Sequence, residues 1–167
     1  MKGLDKLNNA DLLKEYSSIL SLLKKRGIIR TKNLVGDLGE YYSIETYNNT
    51  PGFPNLQAAP AGTQNIDAIS RNGERYSIKS TTGNLTGVFY GLNPPDSEKP
   101  EKQKFEYVII VVLNDEYGLD GIYELTWDLF LRYKRWHKTM SAWNLSVTKK
   151  LIEDSKIIYK QTEDLVQ

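Results

Sequence analysis

The chain contains no cysteine, and this absence excludes a disulfide framework, a thiolate zinc site and a cysteine nucleophile. Histidine is nearly absent as well. His137 is the only one, and no spacing suggests the serine and aspartate partners that a Ser-His-Asp hydrolase needs. The sequence also lacks the glycine-rich loops that cradle phosphates in P-loop and dinucleotide-binding proteins, so nothing in it supports dependence on ATP or NAD.

Long apolar runs are missing too. No stretch approaches the roughly 20 apolar residues that a membrane-spanning helix needs, and the polar segment 1–9 holds no apolar signal core. A chain without cysteine also suits a reducing compartment. We therefore expect a protein of the cytoplasm with no membrane partner.

Charge of one sign does not dominate the chain, since 22 Lys and Arg residues against 21 Asp and Glu residues give a formal net charge of +1. This balance argues against binding nucleic acid through bulk charge. A local basic groove beside an acidic site stays open, because clustering sets the local field. With 167 residues, 40% hydrophobic and 26% charged, the chain can form one globular domain with its own core.

Residue periodicity predicts a mixed set of helices and strands in a single domain, residues 1–167. Residues 107–113 are an almost unbroken β-branched run, which is typical of a central strand covered on both faces. Gly36 and Gly39 inside the second predicted helix indicate close approach of another backbone. The order of elements predicts an α/β (mixed α+β) fold. The predicted helices are 9–26, 34–47, 126 or 128 to 136, and 148–154, and the predicted strands are 55–58, 65–70, 75–80, 105–113, 121–125 and 156–159.

The residues with the clearest chemistry are two carboxylates and a lysine. Glu40 lies on the second predicted helix, Asp67 on the first strand of a predicted hairpin, and Lys79 on the second strand. Hard divalent cations such as Mg²⁺ bind carboxylate and carbonyl oxygens, and a lysine beside the metal can orient or help deprotonate an attacking water. Ser77 shares a strand face with Lys79, which leaves the Ile78 carbonyl available at the edge. The two carboxylates and the lysine are a minimal set for hydrolysing a phosphodiester.

These residues together resemble the PD-(D/E)xK nuclease superfamily, whose members have a restriction endonuclease-like fold. The resemblance covers roughly residues 33–125. Residues 1–32 would then be an N-terminal helical extension, and residues 126–167 a C-terminal extension of helix and strand. The residues that carry it are Gly36-Asp37-Leu38-Gly39-Glu40-Tyr41-Tyr42 on a helix, Asp67, and, twelve residues later, Lys79 in Tyr76-Ser77-Ile78-Lys79-Ser80.

The resemblance implies a central mixed β-sheet flanked by helices and a Mg²⁺-dependent DNA endonuclease in which Mn²⁺ can substitute. By similarity, Asp67 and Glu40 would hold the metal together with the Ile78 carbonyl. Lys79 would be the catalytic lysine, and Ser77 stands where the motif has an acid. DNA is the implied partner. Cutting two strands commonly needs two sites, which favours a homodimer, and a restriction enzyme would also have a cognate methyltransferase.

Two departures from the motif keep alternatives open. Asn65 and Ile66 precede Asp67 where the motif has a proline, and Ser77 is only a weak neutral ligand. Loss of the acid either lowers metal affinity, with Glu40 as its replacement, or marks a catalytically inactive module of the same fold that binds DNA or a partner. An unrelated α/β domain with an interaction or structural role is the third alternative.

The turn between the two hairpin strands provides a geometric test of the site. Asn72-Gly73 is the strongest short-range turn signal. A two-residue turn would pair Asp67 with Ile78 and put the Asp67 side chain on the face opposite to Lys79. An active site needs the other register. We therefore predict a three-residue turn, a longer loop or a bulge that shifts the pairing by one residue.

A basic and aromatic run follows the fifth predicted strand. Cationic side chains contact phosphates and aromatic rings stack on bases, so this run is a candidate DNA-binding patch. A solvated helix face of the same composition is the alternative. The candidate DNA-binding residues are Arg132, Lys134, Arg135 and Lys138, interleaved with Tyr133 and Trp136.

Overall fold

The computed structural model describes residues 3–60 and 62–162, and it confirms the mixed α+β architecture, with helices packed around a central mixed sheet. Residue 61 and the ends of the predicted domain, 1–2 and 163–167, lie outside the described part. Within the described ranges, no helix combines the length and the apolar character needed to cross a membrane. The helices are α1 (Asn9–Lys25), α2 (Leu34–Asn49), α3 (Trp127–Tyr133) and α4 (Lys149–Asp154), preceded by a 3-10 turn at Leu4–Lys6. The strands are β1 (Leu56–Ala58), β2 (Ala68–Ser70), β3 (Arg75–Thr81), β4 (Tyr107–Leu113), β5 (Leu119–Thr126), β6 (Arg135–His137), β7 (Ala142–Asn144) and β8 (Lys156–Lys160).

Six strands form the central sheet in the order β1-β2-β3-β4-β5-β8, and β6 pairs with β7 in a separate hairpin. β3 and β4 run parallel, whereas the other neighbours in the sheet run antiparallel. A parallel pair needs a crossover connection. Here the crossover is the irregular segment 82–106, which is tied to β7 by backbone hydrogen bonds between Phe89 and Trp143.

β4 is the centre of the core. Val108, Ile109, Ile110 and Val111 are all 0% exposed. Ile109 and Val111 pack into the apolar cluster under α2, and Val108 and Ile110 pack into a second cluster with α3 and α4 on the other face of the sheet. The prediction of a central strand covered on both faces is confirmed.

The contact between α2 and β3 positions the candidate acid Glu40. A Cβ on Gly39 would stand 2.6 Å from the Ser80 Cβ and 3.7 Å from its Cα, and the Ser80 hydroxyl donates to an α2 backbone carbonyl at 2.6 Å. The predicted close approach is therefore confirmed at Gly39. A side chain at Gly36 would instead meet Asn33, which caps the helix, so that glycine serves the helix N-terminus.

The prediction that the third helix reaches Trp136 is wrong beyond Tyr133. The chain becomes extended at Lys134, and the next residues form β6. Trp136 packs edge-on against Trp143 of β7, with ring centres 5.1 Å apart. Burial of these rings in a hairpin outweighs the weak local preference for continuing the helix. The first hairpin strand is also shorter than the predicted 65–70, since β2 begins at Ala68.

Candidate functional site

The turn between β2 and β3 is three residues long, 71–73. The residues on either side of it are paired, since the Ser70 amide donates to the Glu74 carbonyl at 2.9 Å. The antiparallel register of these strands, continued by one residue, sets Asp67 opposite Ser77. The predicted shift by one residue is therefore confirmed. Asp67 belongs to the same face of the hairpin as Ser77 and Lys79, as the candidate site requires.

Asp67 lies where β2 separates from β3. Its amide still donates to the Tyr76 carbonyl at 2.8 Å, but its own carbonyl turns to the β1 side and accepts from Ala59 at 2.9 Å. The carboxylate takes the vacated place, since Oδ2 accepts the Ile78 amide proton at 2.6 Å and lies 3.4 Å from the Ser77 hydroxyl. The amide and carbonyl of a regular strand residue point to the same side. The Ile78 carbonyl therefore also faces this gap at the edge of the sheet.

Glu40 approaches the same gap from α2. Both carboxylates line one cleft of about 340 Å³. The Arg30 guanidinium forms an ion pair with the Glu40 carboxylate. The residues that line the cleft are Arg30, Thr31, Glu40, Ala59, Pro60, Gly62, Thr63, Ile66 and Asp67.

Arg30 is held over Glu40 by its own backbone. Ile29 beside it is only 2% exposed and anchors the segment in the core. The buried Asp37 carboxylate accepts the amide protons of Arg30 and Thr31 at 2.8 and 2.5 Å. Asp37 thus fixes the segment between α1 and α2, which leaves Glu40 as the acid of α2 that faces the cleft.

The electrostatics of Glu40 distinguish it from an ordinary surface acid. Burial raises the pKa of its carboxyl above the usual 4.5, the Asp67 and Asp37 charges raise it further, and Arg30 lowers it. The Asp67 charge on the other side of the cleft makes ionisation of Glu40 less favourable. A divalent cation between them would relieve this repulsion.

Ser77 and Lys79 lie further from the cleft. Ser77 is 0% exposed, so its hydroxyl can support the Asp67 carboxylate but does not face solvent. The Lys79 ammonium stands 5.1 Å from the centre of the Phe89 ring, and the described residues that line the cleft do not include Lys79. The fold therefore brings Asp67 and Glu40 together, whereas the Lys79 side chain packs on Phe89, which belongs to the apolar cluster on the face of the sheet opposite to α2.

The donor set fits Mg²⁺ as far as its chemistry goes. Mg²⁺ keeps several waters and is usually bound by one or two carboxylates plus substrate phosphates, and Asp67, Glu40 and the Ile78 carbonyl are all oxygen donors. Across residues 3–60 and 62–162, no group of three or more His, Cys, Asp and Glu side chains is arranged to hold a metal ion. A metal here would therefore depend on two acids and the Ile78 carbonyl, with the remaining positions taken by water or phosphate.

The four candidate DNA-binding residues do not share one helix. Arg132 lies in the last turn of α3, Lys134 follows the helix, Arg135 begins β6 and Lys138 enters the β6–β7 turn. Lys134 is already engaged, because its ammonium lies 3.5 Å from Glu101 and 4.1 Å from the centre of a Trp143 ring. The other three are exposed.

Comparison with protein-family models and with curated proteins finds no match for this chain. The candidate site therefore rests on its own residues. Sequence reasoning missed Arg30 and Thr31, which lie before the motif and belong to no pattern. Their signal was indirect, since the apolar pair Ile28-Ile29 between two predicted helices could have indicated a buried anchor that fixes the next residues.

Proposed function

We propose that the chain is a metal-dependent DNA endonuclease of the PD-(D/E)xK type that acts in the cytoplasm and hydrolyses phosphodiester bonds. The observation that carries this proposal is the convergence of Asp67, at the divergence of β2 and β3, with Glu40 of α2 on one open cleft. The one-residue shift of the hairpin register supports it, because the other register would put Asp67 on the face opposite to Lys79.

Each residue of the proposed site has a role that follows from its surroundings. Mg²⁺ or Mn²⁺ at Asp67 and Glu40 would supply positive charge that activates water and neutralises the phosphate. The Ile78 amide and the Ser77 hydroxyl orient the Asp67 carboxylate. Lys79 has a flexible four-carbon stem, so its ammonium can turn from Phe89 toward a bound phosphate.

The proposed DNA partner would be contacted outside the cleft by exposed cations. Arg132, Arg135 and Lys138 are free to meet backbone phosphates, whereas Lys134 would first have to leave Glu101. A restriction role would add a cognate methyltransferase by analogy only.

A catalytically inactive module of the same fold is the second candidate. Two observations favour it, the burial of Ser77 at the position where the motif has an acid and the placement of Lys79 on Phe89. Such a module would bind DNA with an affinity that depends on salt but not on chelator.

Metal titration and cleavage of the same samples separate the two candidates. Mn²⁺ and Mg²⁺ are titrated by calorimetry into the wild type, Asp67→Asn and Glu45→Gln, and each protein is incubated with plasmid and branched DNA, with and without chelator. Asparagine keeps an oxygen that can accept the Ile78 proton, so Asp67→Asn tests charge more than folding. Glu45 is an exposed acid on the same helix as Glu40 and serves as the matched control.

The nuclease proposal expects that Asp67→Asn loses metal binding and cleavage together. The expected loss exceeds about 100-fold, the upper effect of losing a group that only orients a metal ligand. Glu45→Gln should behave as the wild type. A wild type that binds neither metal and cuts neither DNA would overturn the proposal, and binding of DNA unaffected by chelator would then favour the inactive module.

A further inference from the structure

The segment that leads from α1 into α2 concentrates positive charge. Residues 24–32 hold five cationic side chains and no acid, in a chain whose formal net charge is only +1. Cations in the last turn of α1 stabilise the helix dipole, but this role does not account for Arg30 and Lys32, which lie beyond the helix. The five cations are all exposed, and they are Lys24, Lys25, Arg26, Arg30 and Lys32.

The fold holds the backbone of this 24–32 segment in place. Gly27 ends α1 with a φ of 71°, and its amide closes the last turn at 3.0 Å. Ile29 is buried in the core cluster under α2. The Asp37 carboxylate accepts the amide protons of Arg30 and Thr31. Cations on an anchored backbone are already in position for a ligand, whereas a flexible tail would lose conformational entropy on binding.

The 24–32 segment also forms one wall of the cleft that Glu40 and Asp67 line. Arg30 lines that cleft. Arg30 and Glu40 line an adjoining cavity of about 270 Å³ as well, where Arg26 is the next cation. Positive charge therefore continues from the candidate metal ligands toward the end of α1. The candidate patch at 132–138 instead follows α3, which packs on the face of the sheet opposite to α2.

Arg30 has the position and the free hydrogen-bond donors to bind a phosphate beside the two acids. A phosphate in a cleft lined by acids needs compensating positive charge. Within residues 3–60 and 62–162, Arg30 is the only cationic side chain that lines the cleft. Among the hydrogen bonds of this part of the chain, its guanidinium makes one, to Glu40. The remaining N–H groups belong to a planar fork that matches a phosphate in two parallel hydrogen bonds.

We propose that the 24–32 segment binds the phosphate backbone of DNA at the cleft, with Arg30 on the phosphate next to the candidate metal ligands. The inference rests on the proposed function, since it names the surface on which the DNA of that reaction lies. Arg26 would contact a neighbouring phosphate along the adjoining cavity, and Lys32 adds positive charge before α2. Phosphate contacts position DNA without reading its sequence, so the segment should bind duplexes of any sequence.

Binding of DNA at several salt concentrations tests this surface without any need for cleavage. A labelled duplex of about 20 base pairs is titrated with the full chain in chelator, and again with Ca²⁺, which takes oxygen ligands as Mg²⁺ does. The test variant combines Arg26→Gln, Arg30→Gln and Lys32→Gln. The matched control combines Lys99→Gln, Lys102→Gln and Lys150→Gln, three exposed lysines elsewhere in the chain.

We expect the two triple variants to differ in both affinity and salt dependence. Each lost phosphate contact lowers the slope of log affinity against log salt by about 0.9, so the slope of the 24–32 variant should fall by about 2 to 3. Its affinity should fall at least about 10-fold at about 0.1 M salt, and that of the control should stay within about twofold. Both variants keep the backbone amides that bind Asp37, and circular dichroism checks that both are folded.

Single substitutions test the position of Arg30 at the reacting phosphate. With Mg²⁺, Arg30→Gln should lower the kcat of DNA cleavage by about 100-fold, the effect of removing one donor to a developing negative charge. Arg30→Lys should recover only part of the rate, because an ammonium lacks the planar fork. Metal titration of Arg30→Gln should give an affinity no weaker than that of the wild type, because the cation that competes for Glu40 is gone.

Two results would overturn the proposed surface. The first is a wild type that binds no DNA either in chelator or with Ca²⁺, and the second is an equal loss of affinity in the two triple variants. A wild type that cuts DNA no faster than Arg30→Gln would remove Arg30 from the reacting phosphate. A wild type that cuts no DNA, combined with a loss of binding confined to the 24–32 variant, would support the surface and overturn the nuclease proposal alone.

Discussion

Two Arg–Glu pairs in this protein have opposite electrostatic outcomes. Arg75 and Glu106 pair at the start of the β3–β4 ladder, and hydrogen bonds from the Arg75 guanidinium hold the pKa of the Glu106 carboxyl below its usual range. Arg30 and Glu40 pair at the cleft, yet burial and neighbouring acids keep the pKa of Glu40 above its usual range. Both glutamates face a guanidinium, so the rest of the surroundings decides whether the pKa of the carboxyl is raised or lowered.

The difference teaches what each pair does. The Glu106 carboxylate accepts hydrogen bonds from the Arg75 amide, at 2.6 Å, and from the Arg75 guanidinium. The carboxylate charge therefore joins two segments of the chain. The charge of Glu40 is offset only in part by Arg30 and is opposed by Asp67. A carboxylate whose charge the fold stabilises poorly can be stabilised further by binding another cation. On this comparison Glu106 is structural, and Glu40 is the candidate ligand.

The largest effect is expected from disrupting the contact between α2 and β3, which positions Glu40 but not Glu106. Gly39→Ala should lower the free energy of unfolding by about 2 kcal/mol, because the new methyl group would overlap Ser80 and push α2 from β3. Urea denaturation measures this, and metal titration should show weaker binding as Glu40 is displaced.

Gly87→Ala is the matched control for that substitution. A Cβ on Gly87 meets nothing within 4 Å, so the free energy of unfolding should change by less than about 0.5 kcal/mol. Equal losses in the two variants would show that α2 does not depend on the Gly39 contact.

Replacing each glutamate by glutamine should change the free energy of unfolding at neutral pH differently in the two pairs. Glu106→Gln should lower the free energy of unfolding by about 1 kcal/mol, a modest value because the pair is partly exposed and screened. Glu40→Gln should leave it unchanged or raise it by up to about 0.5 kcal/mol, because an unfavourable charge is removed. Chemical denaturation of both variants is the measurement, and a matching loss in both would contradict the contrast.

The pH dependence of these differences follows from the directions of the pKa shifts. The folded protein holds its proton on Glu40 more tightly than the unfolded chain, so ionisation of Glu40 costs stability as pH rises above 4.5. Glu106 has the opposite shift, and its contribution is present above 4.5 and is lost as pH falls through its lowered folded pKa. Denaturation from about pH 3 to about pH 7 should show both variants converging on the wild type at the acid end. A Glu106→Gln deficit that grows toward acid pH would contradict this assignment.

The smallest effects are shifts in the titration of Glu40 itself. Asp67→Asn should lower the pKa of the Glu40 carboxyl because a like charge is removed, and Arg30→Gln should raise it because an opposite charge is removed. Carboxyl carbon chemical shifts followed by NMR during a pH titration report both directions. Two shifts of the same sign would mean that Glu40 does not sense both neighbours.

The fold was predictable where one local signal decided the structure. The β-branched run of β4 admits only a strand covered on both faces, and Asn33 and Thr148 cap α2 and α4 as short polar residues at helix starts do. The β6–β7 hairpin was not predictable, because its strands are three residues each and depend on Trp136 meeting Trp143 across the turn. Contacts of this kind have no periodicity to detect.

The candidate site shows the same division. Asp67 and Glu40 could be predicted from residue type and order, and the register of the hairpin could be deduced from what an active site needs. Arg30 could not, because its position depends on hydrogen bonds from the backbone to Asp37 and on the burial of Ile29. The location of Lys79 on Phe89 likewise depends on the 82–106 crossover, whose path has no sequence signature.

The burial of β4 on both faces also sets a time scale for the molecule. Amide protons exchange with solvent only when their hydrogen bonds open, and those of Val108 to Val111 lie inside the sheet between two ladders with no exposed side chain around them. Their exchange therefore requires global unfolding, whereas α1 can lose its amide protons through local fraying. In deuterated water, the last protons to leave would be those of this one strand, and their rate would report the stability of the whole domain.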